Sequence, residues 1–104
     1  MAKKTNKAKY FMVRSYAAGV FMGQIVSRKS EANGVNVVLK DARRIWYWAG
    51  AASLSQLATD GTSDPKSCKF PCAVERVELM NVIEIIPVTA KAKFSIDAVE
   101  IWKK

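Results

Sequence analysis

Arg43 and Arg44 closely precede Trp46 and Trp48, and Arg14, Tyr16 and Arg28 lie in strand-like sequence before them. Guanidinium groups beside indole and phenol rings combine phosphate contacts with base stacking, which is the chemistry of nucleic-acid or nucleotide binding. Lys3, Lys4, Lys7 and Lys9 form a basic arm over residues 1–9 that contains no acid and suits an anionic partner surface. The same residues also have a structural reading. Trp and Tyr bury so much area that both tryptophans can fill a small core with the arginines as a solvated rim, and this reading is favoured.

Other chemistries lack their parts. The chain has no histidine, and its nine acids are scattered singly, mostly among lysines and arginines, so general acid–base catalysis has no obvious pair of groups. Asp41 beside Arg43 and Arg44 reads as a salt-bridged turn. Ser53 and Ser55 are explained by a helix cap rather than by nucleophilic attack. Gly19 and Gly23 sit in strand-like sequence without the lysine of a phosphate loop. Pro71 holds Cys68 and Cys72 in an extended segment about 13 Å apart, too far for a disulfide, and C-x-x-x-C alone is half a zinc site. The expectation is a protein that is not an enzyme, with no cofactor and no metal.

The elements that position these residues follow from the pattern of apolar side chains. In 104 residues, 50% hydrophobic, a single domain over 10–104 is expected beyond the arm. Tyr10–Tyr16 and Val20–Ser27 alternate as a hairpin, and Asn33-Gly34 supplies a tight turn into Val35, Val37 and Leu39. Asp41 to Arg44 interrupts that alternation, and Ile45 to Trp48 has the bulk of a fourth strand. Ser53-Leu-Ser-Gln56 is a capping box, with Leu54, Leu57 and Ala58 on one helical face and Gly61 as its stop. Residues 62–66 read as an exposed loop. Phe70, Cys72 and Val74 suggest an edge strand, and 77–80 and 82–86 add further strands that Pro87 ends. Thr89 caps a second helix to about Ala98, with Ala90, Phe94 and Ala98 facing the core, and Ile101 and Trp102 pack the C-terminus back. The predicted fold is α+β: an antiparallel sheet of five to seven strands, barrel- or sandwich-like, with two short helices. Trp46 or Trp48, Leu54, Leu57, Ile85 and Phe94 are expected to share one core.

The net charge of +8 belongs mainly to the ends. Setting aside Lys3, Lys4, Lys7, Lys9, Lys103 and Lys104 leaves 11 basic residues against 9 acids. The apolar stretch after the arm is too short for a secretory signal, and nothing approaches the roughly 20 apolar residues of a membrane span, so no membrane partner is expected.

The segments Tyr10 to Val20, Lys40 to Leu54 with its Arg-Arg-Ile-Trp-Tyr-Trp-x-Gly-Ala block, Cys68-Lys-Phe-Pro-Cys72 and Ile83-Glu-Ile-Ile-Pro87 carry a resemblance. Over about residues 9–102 the chain resembles a family of small proteins of unknown function encoded by tailed bacteriophages, including phages of gut bacteria. The resemblance implies origin, and no activity or site residue transfers with it. A rigid β-rich body with lysine-rich ends is what an auxiliary protein of a capsid needs, because avidity over many copies replaces strong single contacts. The leading expectation is a non-enzymatic virion protein, capsid-associated, in the virion or in the host cytoplasm during infection, with phage structural proteins as partners and homo-oligomers or many copies in the assembly. The alternative is a nucleic-acid or nucleotide-binding phage accessory protein. The binding residues are Lys3, Lys4, Lys7, Lys9, Arg14, Arg28, Arg43 and Arg44.

Overall fold

β-Branched and aromatic residues alternate with others from Phe11 onward, and the backbone takes the extended form such a pattern favours. The computed structural model describes residues 9–32 and 34–104, so Lys3, Lys4, Lys7 and Asn33 of the expected turn lie outside the described residues. The strands are β1 (Phe11–Ser15), β2 (Gly19–Glu31), β3 (Gly34–Arg44) and β4 (Val74–Pro87). The helices are α1 (Leu54–Asp60) and α2 (Ala90–Asp97), with one 3-10 turn at Pro65–Ser67. All strand pairs are antiparallel, and the sheet closes as a barrel in the order β1-β2-β3-β4. The fold is α+β.

Four strands stand among the described residues where five to seven were expected. One reason is that Asp41 and Asn81 do not end strands. Each takes a left-handed backbone, φ 48 at Asp41 and φ 56 at Asn81, inside a strand that continues past it. Asp and Asn tolerate this conformation better than most residues, and as extra residues in a ladder they act as bulges. The other reason is that residues 45–48 and 68–73 form only isolated bridges, Tyr47 with Lys69 and Phe70 with Ile101.

The bulges decide which side chain faces where. Leu39 and Ala42 both point into the barrel, as do Leu79 and Val82, although each pair is three apart and strict alternation would separate them. The extra residue at Asp41 therefore turns Ala42 inward and Arg43 outward, toward the helices. The register also shifts between Arg14 and Ser15 against β4 and between Ile25 and Ser27 against β3. Near the start of β1 the alternation is regular: Val13 pairs with Phe21 and Ile85 on the barrel side, and Met12 pairs with Met22 and Ile86 on the helix side. The sheet thus has two cores. One fills the barrel around Phe21, Leu39 and Leu79, and the other lies between β1, β2 and the helices around Met12, Leu57, Phe70 and Ile96.

The helix starts follow the sequence. Ser53 Oγ accepts the Gln56 amide at 3.1 Å, Gln56 Oε1 accepts the Ala52 amide at 2.7 Å, and Leu54, Leu57 and Ala58 are buried. Thr89 Oγ1 accepts the Ala92 amide at 3.0 Å and donates to the Thr59 carbonyl at 2.7 Å, joining α2 to the end of α1. The inward face of α2 differs from expectation. Ala92 and Ile96, followed by Val99, are buried, while Ala90 and Ala98 are exposed and Phe94 is 80% exposed. Gly61 explains the rotation: a Cβ there would lie 2.4 Å from Ser95 Cβ, so the absent side chain lets α2 lie against the end of α1 with its Ser95 side. Of the expected shared core, Trp48 packs with Leu54 and Leu57, Ile85 belongs to the barrel, and Trp46 is exposed. No helix among the described residues is long and apolar enough to cross a membrane.

Arg43 joins the layers. It is 7% exposed, and its Nε donates to the Pro71 carbonyl at 2.9 Å and its Nη1 to Ile96 at 3.0 Å. Nη2 donates to Phe70 at 3.0 Å, Val99 at 2.9 Å and Glu100 at 3.3 Å. One strand residue thereby holds the end of α2, the segment after it and the segment entering β4. Arg43→Met keeps the apolar stem but orphans these carbonyls, and should cost about 3–5 kcal/mol. Urea denaturation measures this, and an unchanged midpoint would contradict the clamp.

Candidate functional site

The arginine face expected for phosphates is not assembled. Arg43 is interior, with its nitrogens committed to five backbone carbonyls, so it is not available to an external partner. Burial draws its pKa below the ordinary arginine value, while the charges of Asp97 and Cys72 act in the opposite sense. Arg44 is half-buried on the other side of the sheet, where its guanidinium lies 4.3 Å from the Phe21 ring centre and donates to the Ala18 carbonyl at 2.8 Å. Arg14 Nε pairs with Glu84 at 3.0 Å, across directly opposed positions of β1 and β4. Lys9 and Arg28 are exposed and have no ion-pair partner among the described residues. Trp46 and Tyr16 are exposed, and Trp48 is half-buried.

A basic aromatic surface forms elsewhere, from three short segments. Tyr47 and Lys69 exchange both backbone bonds, at 3.3 and 2.8 Å, which places their side chains on one side of the bridge. The Trp102 amide donates to the Phe70 carbonyl at 3.0 Å and brings the C-terminus alongside. The Lys69 ammonium then lies 5.9 Å from the Tyr47 ring centre and 5.7 Å from that of Trp102. Beside Trp102 is a cleft of about 460 Å³ lined by Lys66, Cys68, Glu100 and Ile101 among others. Phe70 is fully buried beneath this surface and its carbonyl is held by Arg43, so the clamp positions the platform. The alternation of Lys69 outward and Phe70 inward is visible in the sequence. The return of Trp102 to the body is as expected, but its pairing with Phe70, about thirty residues away in the chain, is not legible in the sequence, and Ile101, expected to pack as well, is exposed.

A second polar cluster lies where β1 begins. The Tyr10 hydroxyl donates to Asp41 and accepts from Gln24 Nε2 at 2.8 Å, and the Lys93 ammonium sits 4.2 Å from the Tyr10 ring centre while pairing with Asp97. Tyr10 and Phe94 line an adjoining groove of about 760 Å³. Desolvation first, and then the hydrogen bond to Asp41, raise the Tyr10 pKa, with Gln24 and Lys93 acting the other way. This network ties β2, β3 and the residue preceding β1 to α2 and favours the neutral phenol. Cys68 is buried and Cys72 exposed, both as free thiols, and no group of three His, Cys, Asp or Glu side chains among the described residues could hold a metal ion.

Because the folded pKa of Tyr10 is raised, its neutral form contributes stability below the unfolded value of about 10, and that stability is lost as pH rises through the folded value. Ultraviolet titration of Tyr10 in a Tyr16→Phe, Tyr47→Phe background should therefore show ionisation above the unfolded protein. Asp41→Asn should bring it down, and an unchanged titration would refute the contact.

A family model described as a domain of unknown function (DUF6948) matches residues 8–96. No curated protein and no solved structure matches the chain. That match takes in all four strands and most of α2, which is the barrel and nearly all of its helix layer. On that extent the chain belongs to the DUF6948 family.

Proposed function

We propose that this protein is a non-enzymatic auxiliary protein of a tailed bacteriophage, associated with the capsid and present in the virion or, during infection, in the host cytoplasm. The observation that carries the reading is where the available cations lie. Arg43, Arg44 and Arg14 are engaged within the fold, whereas Lys9, Lys103 and Lys104 are exposed near the chain ends, and Arg28, Lys29, Lys40, Lys66, Lys69 and Arg76 are exposed on the body without an ion-pair partner among the described residues. Exposed charge near both ends and over a body braced by a closed barrel suits docking onto acidic patches of a larger assembly. Many copies on one particle would add avidity to weak single contacts. The family resemblance over residues 9–102 supports the phage setting. Nucleic-acid or nucleotide binding is the second reading, and the cation between two aromatic rings at Lys69 favours it.

The test is mass spectrometry of purified particles of the encoding phage. The protein should be present in a fixed number of copies, and a chain lacking residues 1–9 should fold yet fail to incorporate. Absence from particles rules out the leading reading.

A further inference from the structure

We propose that the face carrying Tyr47, Lys69 and Trp102 binds single-stranded nucleic acid, an inference that rests on the second reading above. Tyr47 is 52% exposed and Trp102 half-buried, and backbone pairs to Lys69 and Phe70 hold both segments in place. Rings positioned this way lose little freedom when a base stacks on them. The Lys69 ammonium beside both rings supplies the positive charge that a stacked nucleotide's phosphate requires. Lys66 lines the cleft with Trp102, and the exposed Lys103 and Lys104 follow Trp102 in the chain, so further cations accompany the indole.

The layout selects the ligand. Of these lysines Lys66 lines the cleft and shares it with Glu100, so a lone phosphate group has no enclosing set of cations there. A strand with several phosphates can use separated cations and step over the acid. Duplex DNA hides its base faces inside the helix and cannot stack on Tyr47 or Trp102. An acidic protein surface would also use the lysines and cover the rings, and failure of an oligonucleotide to bind is the result that points to it.

Fluorescence anisotropy of a labelled oligothymidylate of about 16 nucleotides, with the full chain at near-physiological salt, tests the site. The single strand should bind more tightly than a duplex of the same length. Tyr47→Ala and Trp102→Ala should each weaken binding by about fivefold or more, while Tyr47→Phe and Trp102→Phe retain it. Lys69→Gln should lower the salt-dependence slope by about 0.7, and should weaken binding more than Lys29→Gln on the exposed end of β2. Thermal melts of the variants confirm folding, and Lys69→Gln alters an exposed side chain in any case. Undiminished binding by the alanine variants overturns the site while leaving the nucleic-acid reading standing. A preference for duplex overturns the single-strand site while leaving the nucleic-acid reading standing, and binding to neither overturns both. Displacement by thymidine monophosphate at equal nucleotide concentration overturns the choice of a strand over a mononucleotide.

Discussion

A single buried guanidinium holds the two halves of this molecule together. Arg43 leaves water at a cost of several kcal/mol, and no carboxylate pairs with it within salt-bridge distance among the described residues. Its compensation is five carbonyl oxygens, supplied by Phe70, Pro71, Ile96, Val99 and Glu100. Charge-assisted bonds contribute about 1.5–3 kcal/mol each, so together they offset the desolvation. The carbonyl of Ile96 belongs to the last turn of α2, where the helix dipole is negative and a cation is favoured. Lysine could not substitute, because a point-like ammonium cannot spread its donors across a fork of carbonyls.

That clamp exists only because the strand slips by one residue. Without the left-handed Asp41, Arg43 would point toward the barrel side of Phe21, Leu39 and Leu79, away from the five carbonyls that hold it. Asp41 also accepts the Tyr10 hydroxyl, so the residue that sets the slip is itself held in place by β1. Downstream of the clamp, the segment through Phe70 stays flat against the body, and the pairing that brings Tyr47, Lys69 and Trp102 together follows from it. The route from sequence to surface thus runs through one bulge and one buried charge.

Much of this was legible in the residues and some of it was not, for physical reasons. Capping boxes, the first hairpin and the stop at Pro87 are local events, and Ser53, Gln56, Thr89 and Gly61 act as their types and spacing imply. The face of α2 was ambiguous because Ala90, Phe94 and Ala98 form as good a stripe as Ala92, Ile96 and Val99. Only the contact of Ser95 with Gly61 decides between them, and that contact is tertiary. Asp41 and Asn81 resemble strand breaks in sequence, since a bulge and a turn use the same residue types. Arg43 and Arg44 look equivalent as chain neighbours, yet adjacent strand residues face opposite sides, where Arg43 meets five carbonyls and Arg44 meets that of Ala18 beside the Phe21 ring. The recognition surface was hidden for a related reason: its three side chains come from segments far apart in the chain.

The central claim is that Arg43 is an internal structural cation while the ligand-accessible charge of the proposed site belongs to Lys69 and its neighbouring lysines. Nitrogen-15 spectroscopy of the arginine side chains tests it directly, by following the Arg43 Nε–H through exchange with solvent and through titration with oligothymidylate. The account predicts slow exchange and an unperturbed Arg43 signal while Lys69 responds. A rapidly exchanging Nε–H that shifts on adding the oligonucleotide would place Arg43 at the surface and contradict the account.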